Sequence, residues 1–255
     1  MSSPPPDPTM AAKLAELQSM VDASNRIVFF GGAGVSTESG IPDFRSADGL
    51  YNGRHQIPPE TILSRGFFEE HPKDFFDFCR ANVFHPEAKP NPAHRKLAEL
   101  EQAGRLTAVI TQNIDGLHQA AGSTNVLELH GSYHRNYCAN CGQTVKLDQV
   151  QATQGVPRCS CGGIVQPDVV LYGDPLDGLV LRAAVDAIRQ ADLLIVGGTS
   201  LTVYPAAGLL GYFRAERLVV INRDPGVFPG QGAFVITARL AEVLGQVIVR
   251  PGGHV

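Results

Sequence analysis

The sequence predicts an α/β protein: a doubly wound, Rossmann-like parallel sheet with a small inserted zinc ribbon and a helical insert. Three observations carry this. Short apolar, strand-like runs alternate with helical patterns. Four of those runs end in glycine, hydroxyl or amide residues, the place where open α/β sheets bind ligands. Four of the five cysteines fall in two close pairs, Cys138/Cys141 and Cys159/Cys161.

Bulk properties bound the function. The 255 residues suffice for one ordinary domain plus an insert. Charged residues make up 18% and the net charge is −4, so no global attraction to nucleic acid or anionic membrane is expected. No apolar run reaches the roughly 18 residues of a membrane span. Residues 1–9 are rich in Ser and Pro and lack the basic start and apolar core of a signal peptide. They are expected to form a disordered tail on a cytoplasmic protein.

The first element is a helix over Met10–Ala23, with Leu14, Leu17, Met20 and Val21 on one stripe. Ile27–Phe30 reads as a buried parallel strand, and it runs into Gly31, Gly32, Ala33 and Gly34. Small residues there let a phosphate approach the backbone, so a dinucleotide pyrophosphate site is expected. A plain tight turn without a ligand is the competing reading. The pattern departs from the usual fingerprint: Thr37 stands where a third glycine would fall, and Gly40 and Pro42 cut the following helix short. Asp43, Phe44 and Arg45 then sit on a loop, which suggests chemistry on the dinucleotide itself. Ser46–Pro59 reads as a mobile loop, either a lid or a solvated connection.

Residues 60–84 carry Phe67, Phe68, Phe75, Phe76, Phe78 and Phe84 and read as one or two short helices with a core role. A helix over Pro90–Gly104 and a strand over Leu106–Thr111 follow. That strand delivers Gln112, Asn113, Ile114 and Asp115, which can read an amide or a ribose. Strand Val126–Leu129 ends at His130-Gly131. A histidine near its unperturbed pKa of about 6.5 can take a proton at neutral pH, although a lone histidine is more often structural.

Cys138, Cys141, Cys159 and Cys161 together fill a tetrahedral thiolate site and leave no open position, so a structural zinc ion is expected, with disulfides as the alternative. Cys79 is left over as a buried thiol. Val169, Val170, Leu171 and Tyr172, followed by Gly173, read as a strand whose exposed edge could take an extended peptide. A helix over 179–190 leads to the near-continuous apolar strand Ala191–Val196 and then to Gly198, Thr199 and Ser200, a further phosphate or ribose site. A helix reaching Arg214, a strand Leu218–Ile221 ending at Asn222 and Arg223, a strand Phe234–Ile236 and a helix from about Ala238 complete the chain. Asn222 suits a ribose hydroxyl or an adenine edge.

Gly-Ala-Gly-Val-Ser followed by Gly-Ile-Pro-Asp-Phe-Arg (residues 32–45), Gln-Asn-Ile-Asp-x-Leu-His (112–118), His130-Gly131, the cysteine pairs, Gly198–Ser200 and Asn222 resemble, in that order, the motifs of the sirtuins, the NAD-dependent protein-lysine deacylases. The resemblance covers Ile27 to about Asn222 and is of bacterial type. It implies transfer of an acetyl group from lysine to NAD, giving nicotinamide, O-acetyl-ADP-ribose and deacetylated lysine. It implies His130 as general base for a ribose hydroxyl and Asn113 as the residue that positions ribose or water. Ile114 and Asp115 would hold the nicotinamide carboxamide, and Phe44 would shield the reacting face. Arg45 and Gln112 would hold phosphate and ribose, Ala33 and Thr37 would line the pyrophosphate turn, and Thr199, Ser200 and Asn222 would serve the adenosine half. Val203 and Tyr204 would face Val169–Gly173 across an acetyl-lysine peptide. Members that prefer acidic acyl groups carry Tyr-x-x-Arg in the Phe-rich region; here those places align with Cys79 and Asn82, which implies a neutral acyl group. Tyr172-Gly173-Asp174 replaces the commoner Phe-Gly-Glu. Residues 10–45, 90–134 and 166–250 would form the NAD-binding domain, 46–89 the cofactor loop and helical insert, and 135–165 the ribbon. A protein mono-ADP-ribosyltransferase, a plain dehydrogenase and a non-enzymatic NAD-sensing module are the rival readings.

Overall fold

The computed structural model describes residues 9–46, 49–53, 55–202, 204–224 and 232–250. Val203 and residues 1–8 of the expected tail lie outside the described residues. Thr9 is no tail residue: its Oγ1 accepts from Ala12 N and caps the first helix. In chain order the elements begin with α1 (Met10–Asp22), β1 (Ile27–Gly31), α2 (Pro59–Ile62), α3 (Arg65–Glu70), α4 (Pro72–Asn82) and α5 (Pro92–Gln102). Next come β2 (Leu106–Thr111), α6 (Leu117–Ala120), β3 (Val126–Glu128), β4 (Gly131–Cys138), β5 (Thr144–Val145), α7 (Leu147–Ala152) and β6 (Val165–Val169). The chain continues through α8 (Gly178–Gln190), β7 (Leu193–Gly197), β8 (Arg217–Asn222), β9 (Phe234–Thr237) and α9 (Leu240–Leu244).

Six strands form one parallel sheet in the order β3-β2-β1-β7-β8-β9. The alternation of side chains along a strand sorts the core into two layers. Ile27 and Phe29 join α1, α5 and α9 on one face; Val28 and Phe30 join α8 on the other. All four are fully buried. A strand covered on both faces reads as a continuous apolar run, which is why β1 and β7 were legible. The chain runs from β1 outward through β2 and β3, then returns to β7 on the other side. The order therefore reverses between β1 and β7, and the crevice beyond their C-terminal ends is where such sheets bind ligands.

A second, three-stranded antiparallel sheet, β5-β4-β6, carries the four cysteines at one end. It runs from Gly131 to Val169 and so brackets the stretch 135–165 expected of the ribbon. Gly131 is obligatory: its φ is +71°, and a Cβ there would lie 2.0 Å from Asp168 O. The third core joins this sheet to the insert through Phe68, Phe75, Phe76, Cys79 and Tyr133. Phe68 meets Phe75 edge-on at 4.9 Å.

Several elements differ from the sequence reading. The insert holds three helices, because Ser64 caps one turn and Pro72 starts another. The helix expected to reach Arg214 is a 3-10 helix over residues 206–212, in a stretch with glycines at 208 and 211. The chain after β1 makes two 3-10 turns, Ala33–Val35 and Thr37–Ser39, ending at Gly40 in the left-handed region. The expected open edge at Val169–Tyr172 is largely closed. Only Val169 belongs to a strand, and the N–H groups of Val170, Leu171 and Tyr172 donate to His130 O, Asp174 Oδ2 and Leu63 O.

Candidate active site

The β1–β7 crevice opens into a cavity of about 740 Å³, within the usual range for small-molecule sites. The turn after β1 forms its floor. Gly34 N donates to Gly198 O at 2.8 Å, and a Cβ on Gly34 would lie 2.7 Å from Gly198 Cα. Two backbones thus touch where each strand ends, and no larger residue fits at 34. Thr37 Oγ1 turns back to donate to Gly34 O. Asp43 organises the next loop: its Oδ1 accepts from Arg45 N and Ser46 N at 3.0 and 2.7 Å.

A buried polar network lies behind the turn. Ser36 Oγ donates to Asp115 Oδ2 at 2.6 Å and accepts from Asn113 Nδ2 at 3.1 Å. Asp115 Oδ1 accepts from Leu117 N at 2.9 Å. Burial raises the Asp115 carboxyl pKa, against these hydrogen bonds, which lower it. A second network ties strand ends across the sheet. Gln112 Nε2 donates to Thr199 Oγ1, Thr199 N to Asn222 Oδ1, and Asn222 Nδ2 to Thr199 O. Glu38 Oε2 accepts from Ala241 N at 2.8 Å and so tethers α9, with Arg239 and Leu240 on the cavity wall.

His130 stands between two walls. Its Nδ1 lies 2.9 Å from Gln112 O, and its own carbonyl accepts from Val170 N at 3.0 Å. A carbonyl can only accept, so Nδ1 carries the proton and Nε2 is the basic nitrogen of the neutral ring. Burial holds the imidazole pKa below its ordinary value, opposed by the Gln112 hydrogen bond. At neutral pH the ring is therefore in its base form.

Every described residue expected at the cofactor or peptide site lines this one cavity, from Gly32, Ala33 and Gly34 through Phe44, Arg45 and His130 to Tyr204 and Arg223. Asn82 lines it too, whereas Cys79 is buried in the phenylalanine core, where burial raises its thiol pKa. Sequence reading did not assign Ser36, Glu38, Tyr51, His85 or Tyr133, all of which line the cavity. Ser36 was visible as a hydroxyl in the turn; its partner Asp115, 79 positions away, was not.

A model of the Sir2 family matches residues 32–205, from the glycine turn to the loop bearing Tyr204. The chain belongs to the Sir2 family. The NAD-dependent protein deacetylase of Clostridium perfringens is 54% identical over 243 residues, covering 94% of this chain and 100% of that protein. The NAD-dependent protein deacetylase of Cutibacterium acnes is 54% identical over 234 residues, covering 91% of this chain and 96% of that protein. Among solved structures, a Sir2 complex with a p53 peptide and NAD+ aligns with a TM-score of 0.78 at 36% identity, over 91% of this sirtuin and 95% of that chain. A Sir2 mutant with a deacetylated p53 peptide and 3′-O-acetyl ADP-ribose aligns with a TM-score of 0.81 at 36% identity, over 91% and 95% of the two chains.

The cysteines of this sirtuin pass a simple geometric test for zinc. The four Sγ atoms lie within 4.8 Å of one another, with Cys138–Cys161 at 3.5 Å and Cys141–Cys159 at 3.7 Å. A tetrahedron with Zn–S bonds of about 2.3 Å has edges of about 3.8 Å. Four thiolates complete that shell, so the ion would be structural.

Proposed function

We propose that this sirtuin is an NAD-dependent protein-lysine deacetylase, with NAD and an acetyl-lysine peptide meeting at His130. The observation that carries the proposal is the double attachment of His130: its side chain is held by the wall built from strand ends, and its backbone by the wall built from Val169–Gly173. The close relatives named as NAD-dependent protein deacetylases support it.

NAD acts as co-substrate: the bond from ribose to nicotinamide breaks, and with one water consumed the acetyl group leaves the lysine nitrogen for a ribose oxygen of ADP-ribose, freeing the amine. The residues divide the work. The turn at Gly32–Gly34 with Thr37 leaves room for the pyrophosphate, and Arg45 supplies positive charge nearby. Thr199, Ser200, Asn222 and Arg223 serve the adenosine half. Asp115 and Ile114 hold the carboxamide of the departing group, with Ser36 fixing the carboxylate. Phe44 excludes water from the reacting face, which suits a transition state that develops positive charge. His130 Nε2 takes the proton of a ribose hydroxyl, and Asn113 positions that hydroxyl or water.

Asn82, a neutral residue on the cavity wall, supports preference for a neutral acyl group. The peptide lies between Val169–Gly173 and Tyr204. The NAD-binding domain comprises 10–45, 90–134 and 166–250, with 46–89 and 135–165 as inserts. Among the described residues no helix is long and apolar enough to cross a membrane. A four-thiolate site needs reduced cysteines, which fits the cytoplasm. The −4 net charge supports peptide and not nucleic acid or membrane as partner.

A mass-spectrometric time course tests this, with acetyl-lysine and succinyl-lysine peptides and with or without NAD. NAD-dependent loss of acetyl with appearance of O-acetyl-ADP-ribose is expected. Equal loss of succinyl would overturn the acyl preference. ADP-ribosylated protein in place of O-acetyl-ADP-ribose would replace the deacetylase with a transferase.

A further inference from the structure

Two tyrosines join the halves of the cavity. Tyr51 Oη and Tyr172 Oη lie 2.5 Å apart, across 121 positions of sequence. Tyr51 belongs to the 3-10 turn Leu50–Asn52 and rests on the nucleotide side. Leu50 N and Tyr51 N donate to Asp43 O and Phe44 O at 2.8 and 2.9 Å. The Tyr51 ring packs on Phe44 with centroids 5.4 Å apart, and the Arg45 guanidinium lies 5.3 Å from its centre. Asn52 Nδ2 adds bonds to Arg45 O and Ser46 O. Phe44 and Arg45 are therefore tied to the turn that carries Tyr51.

Tyr172 belongs to the opposite wall. Its N–H donates to Leu63 O and its carbonyl accepts from Arg65 N, both at 3.0 Å. Arg65 grips Asp174 with two bonds of 2.9 and 2.8 Å. The segment is thus anchored to the α2–α3 junction, while the Tyr172 side chain stays 40% exposed at the cavity. Burial and the Tyr172 hydroxyl raise the Tyr51 phenol pKa, so it keeps its proton.

We propose that Tyr51 and Tyr172 are positioning residues whose hydroxyl pair couples occupancy of the peptide wall to the placement of Phe44 and Arg45 against NAD. The proposal rests on the reading that peptide and NAD share this cavity. One hydroxyl donates to the other, which leaves a single hydroxyl proton for a ligand oxygen. A peptide carbonyl that takes that proton orders the pair, and the order passes through the Tyr51 ring to the residues facing the nucleotide. The Tyr172 hydroxyl is what makes the bridge: a phenylalanine there keeps the ring and loses the link.

The test is ADP-ribose binding by calorimetry, with and without acetyl-lysine peptide, on the full chain. No turnover is needed. In the unaltered protein the peptide is expected to tighten ADP-ribose binding. Tyr172→Phe and Tyr51→Phe should each reduce that coupling by about two- to tenfold, the range of one net hydrogen bond. The double variant should lose no more than either single one. Unchanged coupling in either single variant, losses that multiply in the double variant, or no coupling in the unaltered protein would each overturn the proposal. Both substitutions retain the aromatic packing, and melting curves check the fold. Deacetylation is read separately by mass spectrometry, so intact coupling without turnover would reject the assigned reaction and leave the bridge standing.

Discussion

The six-stranded sheet and the cysteine-bearing sheet solve the same problem by different means. Strands β1 and β7 are buried along their whole length between two apolar layers. Each fully buried Val, Ile or Phe there contributes about 1.5–3 kcal/mol relative to exposure. The cysteine-bearing sheet has one long strand with an irregular burial pattern and a two-residue partner, and its core is shared with the insert. Its own strands bury few apolar side chains, chiefly Tyr133 and Val165. A metal held by four thiolates substitutes for the missing core. The lesson is that the cavity wall built from strand ends stands on a self-sufficient scaffold, whereas the wall built from Val169–Gly173 depends on the ribbon and the insert.

The largest expected effect separates the two directly. Zinc removal with a strong chelator, or Cys141→Ser, should melt the ribbon and abolish peptide deacetylation, while ADP-ribose binding survives in part. Zinc stoichiometry by mass spectrometry, alongside calorimetry, reads both. Retained deacetylation by zinc-free protein would break the comparison. Next in size is the residue at the seam. His130→Ala should lower kcat by about 10²- to 10⁴-fold, the usual contribution of a general base, with the melting temperature nearly unchanged. Full activity in that variant would remove His130 from the base role.

Acid should act on the large sheet's side. His94 of α5 and His118 of α6 pack edge-to-face at 4.7 Å. Both His118 ring nitrogens and His94 Nε2 are buried and lack hydrogen-bond partners among the described residues. Burial pushes the His94 pKa down to about 4 and holds His118 well below its ordinary value. The unfolded chain therefore takes up protons first, as pH falls below about 6.5. Stability is full above that value and is lost towards pH 4, by roughly 3 kcal/mol for His94 alone. Asp115, with its pKa raised by burial, works in the opposite sense and offsets part of the loss. His118→Gln should flatten the fall of melting temperature between pH 6.5 and 4.5; an identical slope would show that the pair does not drive it. The smallest effect is Gly34→Ala, which forces a methyl against Gly198 and should cost about 1–3 kcal/mol of stability. ADP-ribose affinity should fall with it, and a calorimetric titration that finds neither change would sharpen how much give the turn possesses.

Much of this was legible without coordinates because the signals are local. Continuous apolar runs marked β1 and β7, cysteine spacing marked the metal site, and strand-end glycines and amides marked the cavity. The insert was harder. Its six phenylalanines announced burial, but the breaks at Ser64 and Pro72 decided that α3 holds two of them and α4 three, with Phe84 just beyond α4. The segment Val169–Tyr172 misled for a related reason: a run of strand-forming residues says nothing about which backbone groups already have partners.

The sequence by itself determined the parallel sheet, the chemistry at its strand ends and the four-thiolate site, because each depends on residues close together in the chain. Only the tertiary structure decided the rest. It paired Ser36 with Asp115, fixed the basic nitrogen of His130 through Gln112 O, stacked His94 on His118 and brought Tyr51 to Tyr172. These contacts join residues separated by between 18 and 121 positions. Hydrogen-bond partnership and burial are properties of packing in space, and no local pattern of residue types encodes them.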